Sequence, residues 1–168
     1  DSKYLAIAEI DISGILIKSS IQIVSIELAQ TNPKESIIYK YEAPTDKLIL
    51  NIEYQTKNQL VCMYNNSIDI LQDQNDTEII NFENKKLSFM TIGLNNRVAY
   101  LEEISTGEYT SNTNVNIINP NTHKSIEYVV SDVAKAICTS DNKIAINFGT
   151  ELHIINKSGF LIKKYISE

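Results

Sequence analysis

The chain's 168 residues can bury a real core without a disulfide or a metal. Acids outnumber bases 21 to 15 and Arg97 is the only arginine, so a phosphate-tracking surface, and with it a nucleic-acid partner, is excluded. No run approaches the roughly 18 apolar residues of a membrane span, and Asp1-Ser2-Lys3 does not open a signal peptide, so no membrane insertion by this segment is expected.

Abundant Ile, nine Tyr, five Gly, three Pro and no Trp suit pleated, half-buried strands. The first unit opens with a strand at Tyr4–Ile7. A long hairpin follows through Glu9, Asp11, Ser13, Gly14, Ile15 and Leu16, and a strand Ile21–Val24 comes after it. A turn at Thr31-Asn32-Pro33 leads to a strand carrying Tyr41. The second unit runs Leu48–Ile52, a Lys57-Asn58 corner, Leu60–Met63, Ile68–Leu71, a polar turn and a strand at Phe82. The third runs Phe89–Ile92, an Asn95-Asn96 corner, Val98–Leu101, a long hairpin from Glu102 to Thr110, Val115–Ile118, a turn at Asn119–Thr122 and a strand at Tyr128. The fourth runs Ala136–Cys138, an Asp141-Asn142 corner, Ile144–Asn147, Leu152–Ile155, an Asn156–Gly159 turn and a strand at Tyr165.

Four apolar-polar-Ile-aliphatic segments anchor this phasing, beginning at Ile21, Ile68, Val115 and Leu152. Their spacing matches the roughly 40 to 50 residues of a four-stranded propeller blade. We name the strands of each unit a, b, c and d; the first unit lacks only a. The units span about 1–43, 44–84, 85–131 and 132–168, within a single all-β domain or domain fragment. Gly14 and Gly107, near the tips of the long b-c hairpins, are expected to need positive φ. No period of 3.6 persists, so no helix of consequence is expected. Cys62 and Cys138 sit in apolar runs and read as small buried hydrophobes.

This pattern resembles the β-propeller superfamily, in the broad sense covering WD-repeat and quinoprotein-like groups. It lacks the Trp-Asp and Gly-His pairs and the tryptophan docking motif. The segments Tyr4–Asp11, Leu60–Tyr64 and Ile144–Glu151 are similar to an uncharacterised family of low-GC Gram-positive bacteria. Its members have a short cytoplasmic piece, one membrane-spanning helix and an exported propeller. The resemblance implies an all-β, β-propeller-like fold of about four four-stranded antiparallel blades, the first lacking strand a, forming part of a larger propeller. It also implies an extracytoplasmic setting at the cell envelope and no catalytic motif.

Asp73-Gln74-Asn75-Asp76-Thr77-Glu78 lacks the glycine and the bidentate acid of a calcium loop and reads as a polar turn. His123 and His153 have no ligand or nucleophile at diagnostic spacing, and Ser13-Gly14 and Ser158-Gly159 sit in no nucleophile elbow. No metal, cofactor or catalytic residue is expected. The binding candidates are Glu9 and Asp11 in the first long hairpin, with Glu102, Glu103, Glu108 and Tyr109 in the second. Propeller b-c connections share one face, so these acids are expected to frame a cation or a basic partner. The leading expectation is a non-enzymatic scaffold that binds a protein or glycan. The alternative is a hydrolase or lyase with its site in the propeller channel. Open blade edges are expected either to close a small four-bladed ring or to make a homodimer.

Overall fold

The computed structural model describes residues 3–56, 59–72, 75–81, 86–93, 97–107, 111–119, 122, 124–130, 132–140 and 142–167. The Lys57-Asn58 and Asn95-Asn96 corners, Phe82, His123, and the binding candidates Glu108 and Tyr109 lie outside the described residues.

Four antiparallel sheets account for the described strands. Sheet 1 holds β1 (Tyr4–Asp11), β2 (Lys18–Ser25) and β3 (Ile37–Glu42) in the order β1-β2-β3. Sheet 2 holds β4 (Ile49–Thr56), β5 (Gln59–Tyr64), β6 (Ser67–Gln72) and β7 (Asn75–Asn81). Sheet 3 holds β8 (Lys86–Gly93), β9 (Arg97–Ser105), β10 (Ser111–Ile118) and β11 (Ser125–Val130). Sheet 4 holds β12 (Ala136–Ser140), β13 (Lys143–Asn147), β14 (Glu151–Asn156) and β15 (Leu161–Ile166). Each sheet is an up-and-down meander in strand order, and the first lacks the inner a strand, as expected. Among the described residues the one α-helix is short: α1 (Ile26–Thr31) continues directly from β2, with Ser25 Oγ accepting the Leu28 N–H at its start.

The sheets stack face to face in a row. β1 packs on β4, β4 on β8 and β8 on β12. Among the described residues no strand of sheet 1 packs extensively on a strand of sheet 4, so the four blades do not close a ring.

Three apolar clusters fill the three junctions. Ile21 meets Leu60, Cys62, Tyr64 and Leu71 between sheets 1 and 2. Val61, Met63 and Ile68 meet Met90, Val98, Tyr100 and Ile118 between sheets 2 and 3. Ala99, Leu101, Val115 and Ile117 meet Ile144, Ile146, Phe148 and Ile155 between sheets 3 and 4. Burying each such aliphatic side chain contributes roughly 1.5–3 kcal/mol.

A face rule follows from strand alternation. In every c strand the first and third motif residues point to the following sheet, and the second and fourth point to the preceding one. The second is polar each time: Gln22, Asp69, Asn116 and His153. Asp69, Asn116 and His153 are buried at junctions, while Gln22 lies on a face that no sheet among the described residues covers. Each buried group has its own companion. Asp69 pairs with Lys47, whose Nζ also lies 5.2 Å from the Tyr64 ring centre. Asn116 Nδ2 donates to Glu102 at 3.4 Å. Tyr128 of sheet 3 meets His153 of sheet 4 at 3.1 Å.

Hydroxyls also hook one sheet to the next. Ser19 Oγ donates to the Lys47 carbonyl at 2.8 Å and accepts the Ile49 N–H. Thr113 Oγ1 does the same with the Asp132 carbonyl, at 2.6 Å, and the Ala134 N–H, at 2.8 Å. Both residues stand two positions before a c-strand motif, so one repeat position supplies both hooks. Sheets 3 and 4 approach closely at Gly93, where an added Cβ would lie 2.9 Å from Thr139 Cβ.

Two expectations are corrected. The positive-φ glycines given by the structure are Gly149 and Gly159, at φ 90° and 78°, in the short turns of sheet 4, and Gly14 does not share that conformation. Cys62 is buried as expected, but Cys138 is exposed, because it points to the uncovered side of sheet 4.

Candidate functional site

The long first hairpin is mostly ladder. β1 and β2 stay in register from Tyr4↔Ser25 to Asp11↔Lys18, which leaves only residues 12–17 as a loop. Glu9 and Asp11 therefore lie in a strand. Glu9 accepts a hydrogen bond from Gln22 Nε2 at 2.6 Å across the sheet. Asp11 Oδ1 accepts from the Ser13 N–H at 2.9 Å and the Ser13 hydroxyl at 2.6 Å, which pins the loop. Those two bonds, helped by Lys18, hold the Asp11 carboxyl below its ordinary value.

The pinned loop holds four large apolar side chains in water: Ile12 at 76%, Ile15 at 103%, Leu16 at 62% and Ile17 at 53% exposure. Beside it lies an open groove of about 890 Å³ whose walls include Glu9, Asp11, Lys18, Lys40 and Glu42. An apolar tip next to a charged wall has the composition of a docking surface. The acids of this hairpin are evident in the sequence as binding candidates; its apolar tip is not. The signal was Ile12, Ile15, Leu16 and Ile17 falling between two strands, where polar residues are the rule.

The second long hairpin places its acids differently. Glu102 continues the β9 alternation from Tyr100 and is buried against sheet 2 beside Asn116. The Tyr100 phenol is pushed well above its ordinary value, first by burial and then by the negative charge of Glu102. Glu103, on the opposite face, pairs with Lys86 at 2.6 Å, and that bond lowers its carboxyl. Sheet 2 stands between this hairpin and the first, so Glu9 and Asp11 are not brought together with Glu102 and Glu103. Among the described residues no group of three or more His, Cys, Asp or Glu side chains could hold a metal ion.

The inner edge carries polar groups that sequence reading missed. Asn51 Nδ2 of β4 donates to the Met90 carbonyl at 2.9 Å, and Glu53 accepts the Ile92 N–H at 2.9 Å. Thr139 of β12 donates to the Ile92 carbonyl at 2.8 Å from the other side. Side chains of neighbouring sheets thus satisfy the open edge of β8. Burial pushes the Glu53 carboxyl up, with the Ile92 N–H opposing. Asn51 and Glu53 alternate with apolar residues in an a strand, a pattern that does not say which groups they bond.

Comparison with known proteins gives a fold and no family. No family model and no curated protein matches the chain. Among solved structures, a protein of unknown function from Bacteroides caccae matches 99% of this chain at 12% identity with a TM-score of 0.58, and the chain spans 59% of that protein. Hsv2 of Kluyveromyces lactis matches 71% of the chain at 16% identity and a TM-score of 0.48, over 37% of its own length. A form of that protein with loop 6CD replaced by a Gly-Ser linker gives 15% identity and 0.47, over 40% of its length.

Proposed function

We propose that this chain is a non-enzymatic interaction scaffold that docks a protein ligand on the β1–β2 hairpin. The observation that carries the reading is the exposed tip of Ile12, Ile15, Leu16 and Ile17 beside the Glu9–Glu42 groove. Exposed aliphatic groups recover hydrophobic free energy only when a partner covers them, and the charged wall beside them supplies orientation. The tip favours a protein over a glycan, because a polar sugar surface would leave these side chains poorly covered. Placement of the parent at the cell envelope, as an exported and membrane-anchored protein, rests on the sequence resemblance.

The test is site-specific photocrosslinking in the source cell, with the probe at residue 15 and, as control, at residue 34. A defined protein adduct from residue 15 alone, lost in a Leu16→Ser background, is expected. The same adducts from both positions, or none from residue 15, would sink the reading. Glycan-array binding abolished by Glu9→Gln would transfer the site to a sugar ligand.

A further inference from the structure

We propose, resting on the reading of the β1–β2 tip above, that its ligand is a folded protein whose interface spreads from the tip over that whole end of the stack, as far as sheet 3.

The ladders and hooks define this end. The start of β8 lies beside the β9–β10 hairpin, as the pair Lys86↔Glu103 places it. Ser19 holds the start of β4 beside the b-c end of sheet 1, and Thr113 holds residues 132 and 134 beside that of sheet 3. The bonds from Asn51 to Met90 and from Ile92 to Glu53 set β4 and β8 running the same way. The tip therefore shares one end with the starts of both a strands.

Sheets 2 and 3 have a neighbour on each face, so an apolar group left in water there does not lack a sheet to cover it. Among the described residues of these two sheets and the connection that leaves sheet 3, the large apolar side chains left exposed are Leu50, Phe89, Ile104, Val129 and Val133. All five stand toward the end of the tip. Leu50 and Phe89 fall in the first halves of β4 and β8, Ile104 and Val129 are each one residue from the ends of β9 and β11, and Val133 follows β11.

Two of the five owe their place to an irregularity of the ladder. Leu50 is the extra residue between the pairs Ile49↔Tyr64 and Asn51↔Met63. Ser88 and Phe89 together span the single residue Leu101, between Leu87↔Glu102 and Met90↔Tyr100. A β-bulge re-aims the side chain it carries, and here two a strands each use one to show water a large apolar group at the same end.

The spread of these groups gives the partner its shape. Phe89 on the a strand and Val129 on the d strand of sheet 3 are three strand spacings apart, about 14 Å, and the tip lies two sheet spacings from them, about 20 Å. A bound peptide strand is only about 5 Å wide and covers a line. A patch broad in both directions is covered by a folded surface.

The experiment is photocrosslinking of the full chain in the source cell, with the probe in turn at residues 15, 50 and 129, and mass spectrometry of the digested adducts. Expected are adducts of one mass from all three positions, joined to segments far apart in the partner's sequence, and no such adduct from residue 124 at the opposite end. An adduct from residue 15 alone overturns the proposal and leaves the reading of the tip in place. Attachment of all three probes within one stretch of about ten residues also overturns it, since an extended peptide of that length would reach them. No adduct from residue 15 removes the reading of the tip itself. With the probe at residue 15, Phe89→Ser should lower the adduct yield about fivefold or more, while the urea midpoint moves little because the side chain is already in water; an unchanged yield overturns the proposal.

Discussion

The phenol of Tyr128 and Nδ1 of His153 lie 3.1 Å apart across the junction of sheets 3 and 4, where His153 also packs against the Phe148 ring and bonds Glu151 at 3.0 Å. A buried imidazole thus finds partners on two sheets. Tyr128→Phe should lower stability by about 1 kcal/mol, the usual net worth of such a bond, read as a shift of the urea midpoint at unchanged slope. A midpoint within error of wild type would show that the bond does not hold the junction.

The Lys47–Asp69 pair is a stronger case. Asp69 is fully buried, and breaking a buried ion pair by removing one partner is strongly destabilising, so Lys47→Met should cost about 3–5 kcal/mol. Adding Asp69→Leu to that variant should recover most of the loss, because an apolar pair has no charge to desolvate. Urea unfolding of the three proteins checks both statements.

Glu53 and Glu151 should give opposite pH dependences. The Glu53 carboxyl is raised above its ordinary 4.5, so its ionisation opposes folding: its contribution is present below the unfolded value and lost as pH rises through the folded one. Glu53→Gln keeps an acceptor for the Ile92 N–H and should stabilise at pH 7, the gain vanishing below about pH 4. The Glu151 carboxyl is held below 4.5, first by Lys164 and then by His153. Its stabilisation is present above the unfolded value and disappears as pH falls through the folded one, so Glu151→Gln should matter at pH 7 and not in strong acid. Urea midpoints across the acid range would separate the two signs.

Gly93→Ala forces a methyl against the branched side chain of Thr139, and overpacking of this kind costs typically 1–3 kcal/mol. Pairing it with Thr139→Ala, which removes the hydroxyl that stands nearest the new methyl, should relieve part of that loss in thermal unfolding.

The repeat was legible because a strand buried on both faces must alternate its two sets of contacts, and Ile21-Gln22-Ile23-Val24 and its three counterparts print that alternation directly. The burial of Glu102 was legible in principle from the same alternation, since it shares a face with Tyr100. What hid it was the assumption that the hairpin became loop after Leu101, whereas the β9–β10 ladder runs to Ser105. The roles of Asn51, Glu53 and Thr139 were not legible. They answer backbone groups of another sheet, and no spacing within one strand reports that. Nor was the exposure of Cys138, whose place in an apolar run does not say which face of its sheet it takes.

Four sheets of nearly one design raise a hazard for the folding chain, because any of them could settle against the wrong neighbour. At the junction of sheets 3 and 4 the polar residue of the c strand works against that error. The companions of Gln22, Asp69 and Asn116 lie within their own units, but His153 finds its phenol only beside Tyr128 of the preceding sheet. A mistaken stacking of sheet 4 would leave a buried imidazole without that partner, a cost of about 1 kcal/mol or more. The blades are alike in shape, and the place of the last is addressed by one phenol and one imidazole.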